Sequence, residues 1–348
     1  MQELIEHFSA TIKEAADAKT PIRIRGGGSK DFYGGPLVGT PLDATAYSGI
    51  VDYEPSELVL TARCGAPLVE IEKLLRENGQ MLAFEPPHFS PNATVGGCVA
   101  AGLSGPRRAS AGAVRDFVLG VRVLNGLGED LRFGGRVMKN VAGYDVSRLM
   151  AGAMGTLGLL LEVSLKVLPR PAEEISLRFE MDATQAIETM NRWAAQPHPI
   201  SATCHFNDVL YVRLSGASFS RAKLGGEIAE NAEAFWRDLC EHELPFFARE
   251  KPLWRLSVKS TTPALDLARE QLIEWNGGLR WISHDLDAKE TRAAGAKAGG
   301  HTTLFRGGDK SSGVFHPLPA PMLALHQRLK KVFDPEGIFN PGRLYPEF

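Results

Sequence analysis

Apolar residues at Leu4, Ile5, Phe8, Ile12 and Ala16 recur three and four positions apart, which predicts an amphipathic helix over residues 3–18. Pro21 to Arg25 then alternates with period two and runs straight into Gly26-Gly27-Gly28-Ser29-Lys30, a strand feeding a glycine loop. Strands are predicted at 51–53 and 58–63, and a helix over 67–78, opened by Pro67, closed by Gly79 and burying Leu68, Ile71 and Leu75. The stretch from Pro86 to Gly112 has little periodicity. After it, alternation on both sides of Asn125-Gly126 reads as a hairpin. A helix over 145–154 and a strand over 159–167 complete the first half, which ends at Pro169-Arg170-Pro171.

Beyond that boundary the pattern changes to strand 174–181, helix 183–196, strand 208–214, helix 220–243, strand 254–259, helix 263–276 and strand 279–284. This alternation suits a small α+β sandwich with helices on one sheet face. Residues 286–313 are polar and glycine-spaced and read as a loop, and a last helix is expected over 319–333. Phe246, Phe247 and Trp254 stand among few charges between Pro245 and Trp254, a segment that reads as core or as a partner-facing patch.

Composition narrows the function. Charged residues are 23% of the chain and the net charge is -2 with no long run of either sign, so there is no footprint for nucleic acid or anionic lipid. Cys64, Cys98, Cys204 and Cys240 lie far apart, which argues against a disulfide framework, a zinc site or an iron–sulfur cluster in this chain and for a reducing compartment. The N-terminus has acids where a signal peptide has a basic start, and the longest uncharged apolar stretch, 149–161, is too short to span a membrane. A cytoplasmic protein is expected, at a membrane only through partners.

Glycine is the outlier, with 36 of 348 residues. It concentrates in three clusters, Gly26–Gly28, the run from Pro86 to Gly105, and Gly152–Gly158. Successive glycines after a strand let backbone N–H groups converge on phosphate oxygens. Neither a P-loop nor a Rossmann fingerprint is present, so the first cluster alone is equally a tight turn. The small residues of the second cluster must wrap something or be wrapped.

The segments RGGGSK, LVLTARCGAPLVEIEKLL, ATVGGCVAAGLSG, VRDFVLGVRVL, MKNVAGYDVSRLMAGAMGTLGLLLEVSLKVLP and DPEGIFNPGRL, in this order, resemble the flavoprotein family named after vanillyl-alcohol oxidase and p-cresol methylhydroxylase. Within it, the short chain and KNVAGYDVSRLMAGAMGTLG are most similar to the E-type FAD-binding subunits of glycolate oxidase. The resemblance implies an α+β fold, with a two-subdomain FAD-binding unit over 1–170, a small ferredoxin-like cap over 171–313, and a C-terminal segment, 314–348, returning to the FAD unit.

It further implies a non-covalent FAD, since Ser29 stands near the place of a tethering histidine. The pyrophosphate would lie along Arg25, Gly26, Gly27, Gly28, Ser29 and Lys30 and along Thr94, Val95, Gly96 and Gly97. Pro87, Ala100, Gly105, Ser110, Gly112, Gly155 and Gly158 would line the dinucleotide, and Val163 would lie near the adenine.

Oxidation of a 2-hydroxy acid also needs a carboxylate clamp, a base, and positive charge near the reduced flavin. Arg343 is the candidate for the last, and His301, Arg306 and His316 for base and clamp. No metal is expected. The larger catalytic members carry an HGDGNxH segment in the cap that this sequence lacks. Three roles follow. The chain is an FAD subunit of a glycolate oxidase complex, working with a sister flavin subunit and an Fe–S subunit; or a self-sufficient FAD-dependent dehydrogenase for D-lactate or glycolate; or a non-catalytic flavin-binding scaffold.

Overall fold

A computed structural model describes residues 1–135, 145–216, 224–248, 250–267, 270–285 and 287–348. The elements of the first half are α1 (Gln2–Ala18), β1 (Ile22–Arg25), β2 (Thr40–Asp43), β3 (Ile50–Glu54), β4 (Val59–Arg63), α2 (Leu68–Glu77), β5 (Gln80–Met81), α3 (Val95–Ala101), α4 (Arg108–Ala111), α5 (Val114–Phe117), β6 (Val118–Leu124), β7 (Asp130–Gly134), α6 (Val146–Met150), β8 (Leu159–Lys166) and β9 (Leu168–Pro169). An antiparallel sheet runs β3-β4-β8-β6-β7. Its central strand β8 is buried on both faces, which explains the unbroken apolar run Leu159–Leu161. The small parallel pair β1-β2 stands apart from it. Helix α1 packs Ile5, Phe8 and Ile12 with Ile22, Leu124 and Leu161, each large side chain contributing about 2 kcal/mol of burial.

Elements of the second half are β10 (Glu173–Glu180), α7 (Ala183–Ala194), β11 (Ile200–Phe206), β12 (Val209–Gly216), β13 (Glu227–Ile228), α8 (Ala232–Cys240), β14 (Leu253–Ser257), β15 (Gln271–Glu274), β16 (Leu279–Ser283), α9 (Ala288–Lys297), β17 (His301–Arg306) and α10 (Ala320–Phe333). Eight of them form one antiparallel sheet in the order β13-β10-β12-β11-β15-β16-β14-β17. Helix α7 starts where the pattern placed it because Asp182 and Gln185 cap each other's backbone N–H groups.

Three expectations need correction. Residues 286–313 are not a loop, for α9 and β17 occupy most of them. Helix α9 was hidden because it buries only Thr291 and Gly295, and packs so closely on β17 that a Cβ on Gly295 would lie 2.5 Å from Thr302 Cγ2. The helix expected at 263–276 is instead a turn region followed by β15, a four-residue central strand whose Leu272 and Ile273 are fully buried. The helix expected at 220–243 is confined to α8, with β13 ahead of it; residues 220–223 lie outside the described set. Strand β11, which the pattern reading did not place, alternates apolar and polar residues over Ile200–Phe206, and its polar set, Ser201, Thr203 and His205, is buried too. Phe246, Phe247 and Trp254 are core.

The two halves are joined by an ionic cluster built on two buried arginines. Arg107, following α3, donates to Glu85 Oε1 at 3.2 Å and to Glu174 Oε1 of β10 at 2.5 Å, while Arg213 of β12 donates to Glu85 Oε1 at 2.7 Å. Burial alone pushes the Glu174 carboxyl up, but hydrogen bonds from Ser215 and Arg107 hold it below its ordinary value. Ser110 adds a bond to the Ser201 carbonyl at 2.8 Å, and the Trp275 indole donates to the Gly105 carbonyl at 3.1 Å.

Candidate functional site: a glycine-walled cleft

The first glycine loop leaves β1 and the chain turns under it, so the N–H groups of Gly27, Gly28, Ser29 and Lys30 find no hydrogen-bond acceptor among the described residues. Gly28 adopts φ +73°. Arg23 and Arg25, two apart on β1, add guanidinium groups whose buried Nε atoms lack a hydrogen-bond partner; Arg25 Nε lies 3.7 Å from the Asp31 carboxylate.

All three glycine clusters meet here. The walls of an open cleft of about 940 Å³, part of it continuous with solvent, include Gly26–Gly28, Gly96 and Gly97, and Gly155 and Gly158. Many of these glycines serve the approach of one segment to another. A Cβ on Gly27 would lie 1.5 Å from the Asn92 carbonyl oxygen, and one on Gly96 would lie 2.5 Å from Cys64 Cβ.

Segment 94–97 behaves differently from the expectation. It opens a helix, α3, whose first N–H groups are already taken. Val95 donates to the Ala66 carbonyl at 3.0 Å, Gly96 to the Cys64 carbonyl at 2.9 Å, and Gly97 to the Thr94 hydroxyl at 3.2 Å. Val95, Cys98 and Val99 are core residues. The segment thus gives the cleft a smooth wall, and the free donors come from the first loop. Burial pushes the Cys98 thiol up to about 12, so it stays protonated and inert.

The C-terminal segment closes the cleft. Ile22 donates to the Ile338 carbonyl at 2.7 Å and Asn340 to the Ile22 carbonyl at 2.9 Å. Asn340 is the keystone: Oδ1 accepts from the Ile24 N–H at 2.8 Å and Nδ2 donates to the Met154 carbonyl at 2.6 Å, binding β1 to the third glycine cluster. Buried Lys330 supports it, donating to Asp334 Oδ2 and the Phe339 carbonyl, both at 2.7 Å, and to the Thr156 carbonyl at 2.8 Å.

Arg343 lines the cleft, yet its guanidinium is committed to the carbonyls of Asp31, Tyr33 and Gly35. Lys310 caps the carbonyls of Phe32 and Gly34 at 2.5 and 3.0 Å. The loop 31–35 is therefore pinned by two cations from distant parts of the chain. Burial holds both Arg343 and Lys330 below their usual ranges. Lys30, also buried and also lowered by burial, donates to Ser29 Oγ at 3.1 Å and the His88 carbonyl at 3.2 Å, and its ammonium sits 5.6 Å from the centre of the Phe89 ring. Phe89 continues into an aromatic cluster with Phe32, His242 and Phe305, in which burial keeps the His242 imidazole well below its ordinary pKa.

Of the residues expected at the cofactor, Arg25 to Lys30, Thr94, Gly96, Gly97, Ala100, Gly155, Gly158 and Arg343 lie on the cleft wall. Pro87, Val95, Gly105, Ser110, Gly112 and Val163 do not: Val95 and Val163 are in the core, and Gly105 and Ser110 tie the halves together. His301, Arg306 and His316 also lie off the wall. Arg306 Nη2 donates to the Phe247 carbonyl at 2.6 Å, and the rings of His301 and His316 are 6.4 Å apart. Arg23, Cys64, Met154 and Asn340 were not singled out. Arg23 could have been found from its alternation with Arg25, and Asn340 stands inside the C-terminal motif.

A profile described as the FAD binding domain matches residues 3–134, and one described as the C-terminal domain of FAD linked oxidases matches 317–344. Glycolate oxidase subunit GlcE of Escherichia coli K12 is 51% identical over 99% of this chain and 97% of its own length. The chain belongs to the vanillyl-alcohol oxidase-type family of FAD-linked oxidases. A D-lactate dehydrogenase of Anaerostipes hadrus is 32% identical over 49% of this chain and 36% of its own. Among solved structures, an alkyldihydroxyacetonephosphate synthase superposes with TM-score 0.64 at 16% identity, over 97% of this chain and 75% of that one. That likeness shows the shared fold. As a member of this family, the chain is an FAD-dependent oxidoreductase, and the cleft fits its cofactor. Unpaired N–H donors and two arginines suit a diphosphate, and glycines and alanines leave room for flat rings.

Proposed function

We propose that the chain is the FAD-binding subunit of an assembly that oxidises glycolate to glyoxylate, passing electrons through a sister flavin subunit to an iron–sulfur subunit. The observation that carries this reading is the 51% identity, over almost the full length of both chains, to a glycolate oxidase subunit. FAD supplies the two-electron acceptance. In our reading residues 1–170 and 314–348 hold it, with its diphosphate against Gly26 to Lys30, while residues 171–313 form the cap.

Two features favour a subunit over a self-sufficient dehydrogenase. The cap residues with base or clamp chemistry, His301, Arg306 and His316, lie off the cleft wall. Arg343 spends its donors on backbone carbonyls, which makes it a positioning residue for loop 31–35. Among the described residues no helix is long and apolar enough to cross a membrane, in keeping with a cytoplasmic subunit reaching a membrane only through partners.

Anaerobic addition of glycolate to the purified, FAD-loaded chain tests the reading. The flavin absorbance should persist in the isolated chain and bleach in the co-produced assembly. Bleaching in the isolated chain would establish the self-sufficient dehydrogenase, and failure to take up FAD would leave only a scaffold.

A further inference from the structure

Helix α10 carries an outer apolar stripe beside the mixed stripe that packs on its own chain. Leu323, His326, Lys330 and Phe333 form the inner stripe; Lys330 and Phe333 are buried, and the His326 ring lies 6.3 Å from Tyr345 and 6.2 Å from Phe348. One residue out of step, Met322, Leu325, Leu329 and Val332 repeat at intervals of three, four and three, the spacing of a coiled-coil seam. Met322, Leu325 and Val332 are 44%, 42% and 70% exposed, and Leu329 is half-buried. Scattered apolar residues on a surface are ordinary, but four in heptad register along one helix are a packing face.

The charges beside the stripe select its occupant. Ala320–Phe333 contains no acid, and His326 and Arg328 hold the positions flanking the seam, with Lys331 next to Val332. An antiparallel second copy of the same helix would set Arg328 against its counterpart, which disfavours that self-pairing. A helix with apolar seam residues and acidic flanks would be matched on both counts.

The face is also continuous with the cleft. From His326 the rings of Tyr345, Phe315 and Tyr33 follow at centre distances of 6.3, 6.1 and 5.5 Å, and the Tyr33 carbonyl is held by the cleft residue Arg343.

We propose that the outer stripe of α10 is the docking face for an acidic-flanked amphipathic helix of a different subunit of the assembly. This rests on the assembly reading above. It is tested with the full chain, tagged and co-produced with its flavin and iron–sulfur partners, carrying Leu325→Glu and Val332→Glu together. Both positions face solvent, so FAD content and thermal midpoint should match the wild type, while partner retention falls at least tenfold. Arg328→Gln alone should weaken retention less and make it less sensitive to salt. Amides of 320–333 should exchange more slowly in the assembly than in the isolated chain.

Wild-type retention by the double variant, or equal exchange in both states, would overturn the proposal. So would self-association of the isolated chain that the double variant abolishes, because the occupant would then be a second copy. A wild-type chain that binds FAD but never associates with the partners would sink the assembly reading itself, and the docking proposal with it. If the partners associate and the double variant releases them while neither chain binds FAD, the docking face stands and the cofactor reading falls.

Discussion

Replacing Asn340 with alanine would leave the Ile24 amide and the Met154 carbonyl without their side-chain partners, at about 1–3 kcal/mol for each buried group. The backbone there has φ 43°, which asparagine tolerates better than alanine. We expect Asn340→Ala to lose about 2–4 kcal/mol and much of its bound flavin, read by thermal unfolding and by the absorbance of the desalted protein. Gly27→Ala should be more severe. Its Cβ would have to displace the Asn92 backbone, so the loop and the wall opposite cannot both keep their places, and flavin should be absent from whatever folds. A Gly27→Ala protein that retains full flavin would refute the packing role assigned to that glycine. At this level the sequence carried more than composition alone: the glycine clusters and the C-terminal motif pointed to the cleft. What it did not carry was the division of labour, because whether a backbone N–H is free or spent depends on partners such as Ala66 and Cys64, distant in the chain.

Among elements, those with one apolar stripe or clear alternation, α1, α2, α7 and β6, could be read from the chain. Those built from small or polar residues, α3 and α9, could not, since their burial comes from close backbone approach. Strand β15 escaped for a different reason, being only four residues long, and it hides a titrating carboxyl. Glu274 is buried, accepts from the Trp281 indole at 2.7 Å, and has its pKa pushed up by burial from 4.5 to about 7. The folded state therefore holds this proton more tightly than the unfolded chain. Its stabilising contribution is complete below pH 4.5 and is lost as pH rises through about 7. Glu274→Gln keeps an acceptor for Trp281 and removes the titration. We expect the variant to gain on the order of 2–3 kcal/mol over the wild type at pH 8 and to lose that advantage near pH 4.5, measured by denaturant unfolding across the range. A parallel pH dependence in the two proteins would contradict this.

For the whole molecule, the seam between the halves is where a sequence says least, because its four principal charges, Glu85, Arg107, Glu174 and Arg213, are spread over 129 positions and each looks like a surface residue. Arg107→Ala would leave two carboxylates with Arg213 alone. A loss of about 3 kcal/mol is expected, below the upper end for a buried pair because Glu174 is partly exposed. Faster amide exchange in β10 and β12, without change in α1, would place that loss at the seam.

The claim on which the rest depends is that the glycine-walled cleft holds one FAD without a covalent bond. Acid precipitation of the purified, FAD-saturated and desalted chain tests it most directly. The account predicts about one equivalent of FAD in the supernatant, none left on the pellet, and no flavin in a Gly27→Ala preparation. A colourless wild-type chain that does not take up added FAD, or flavin that stays with the acid-precipitated protein, would contradict it.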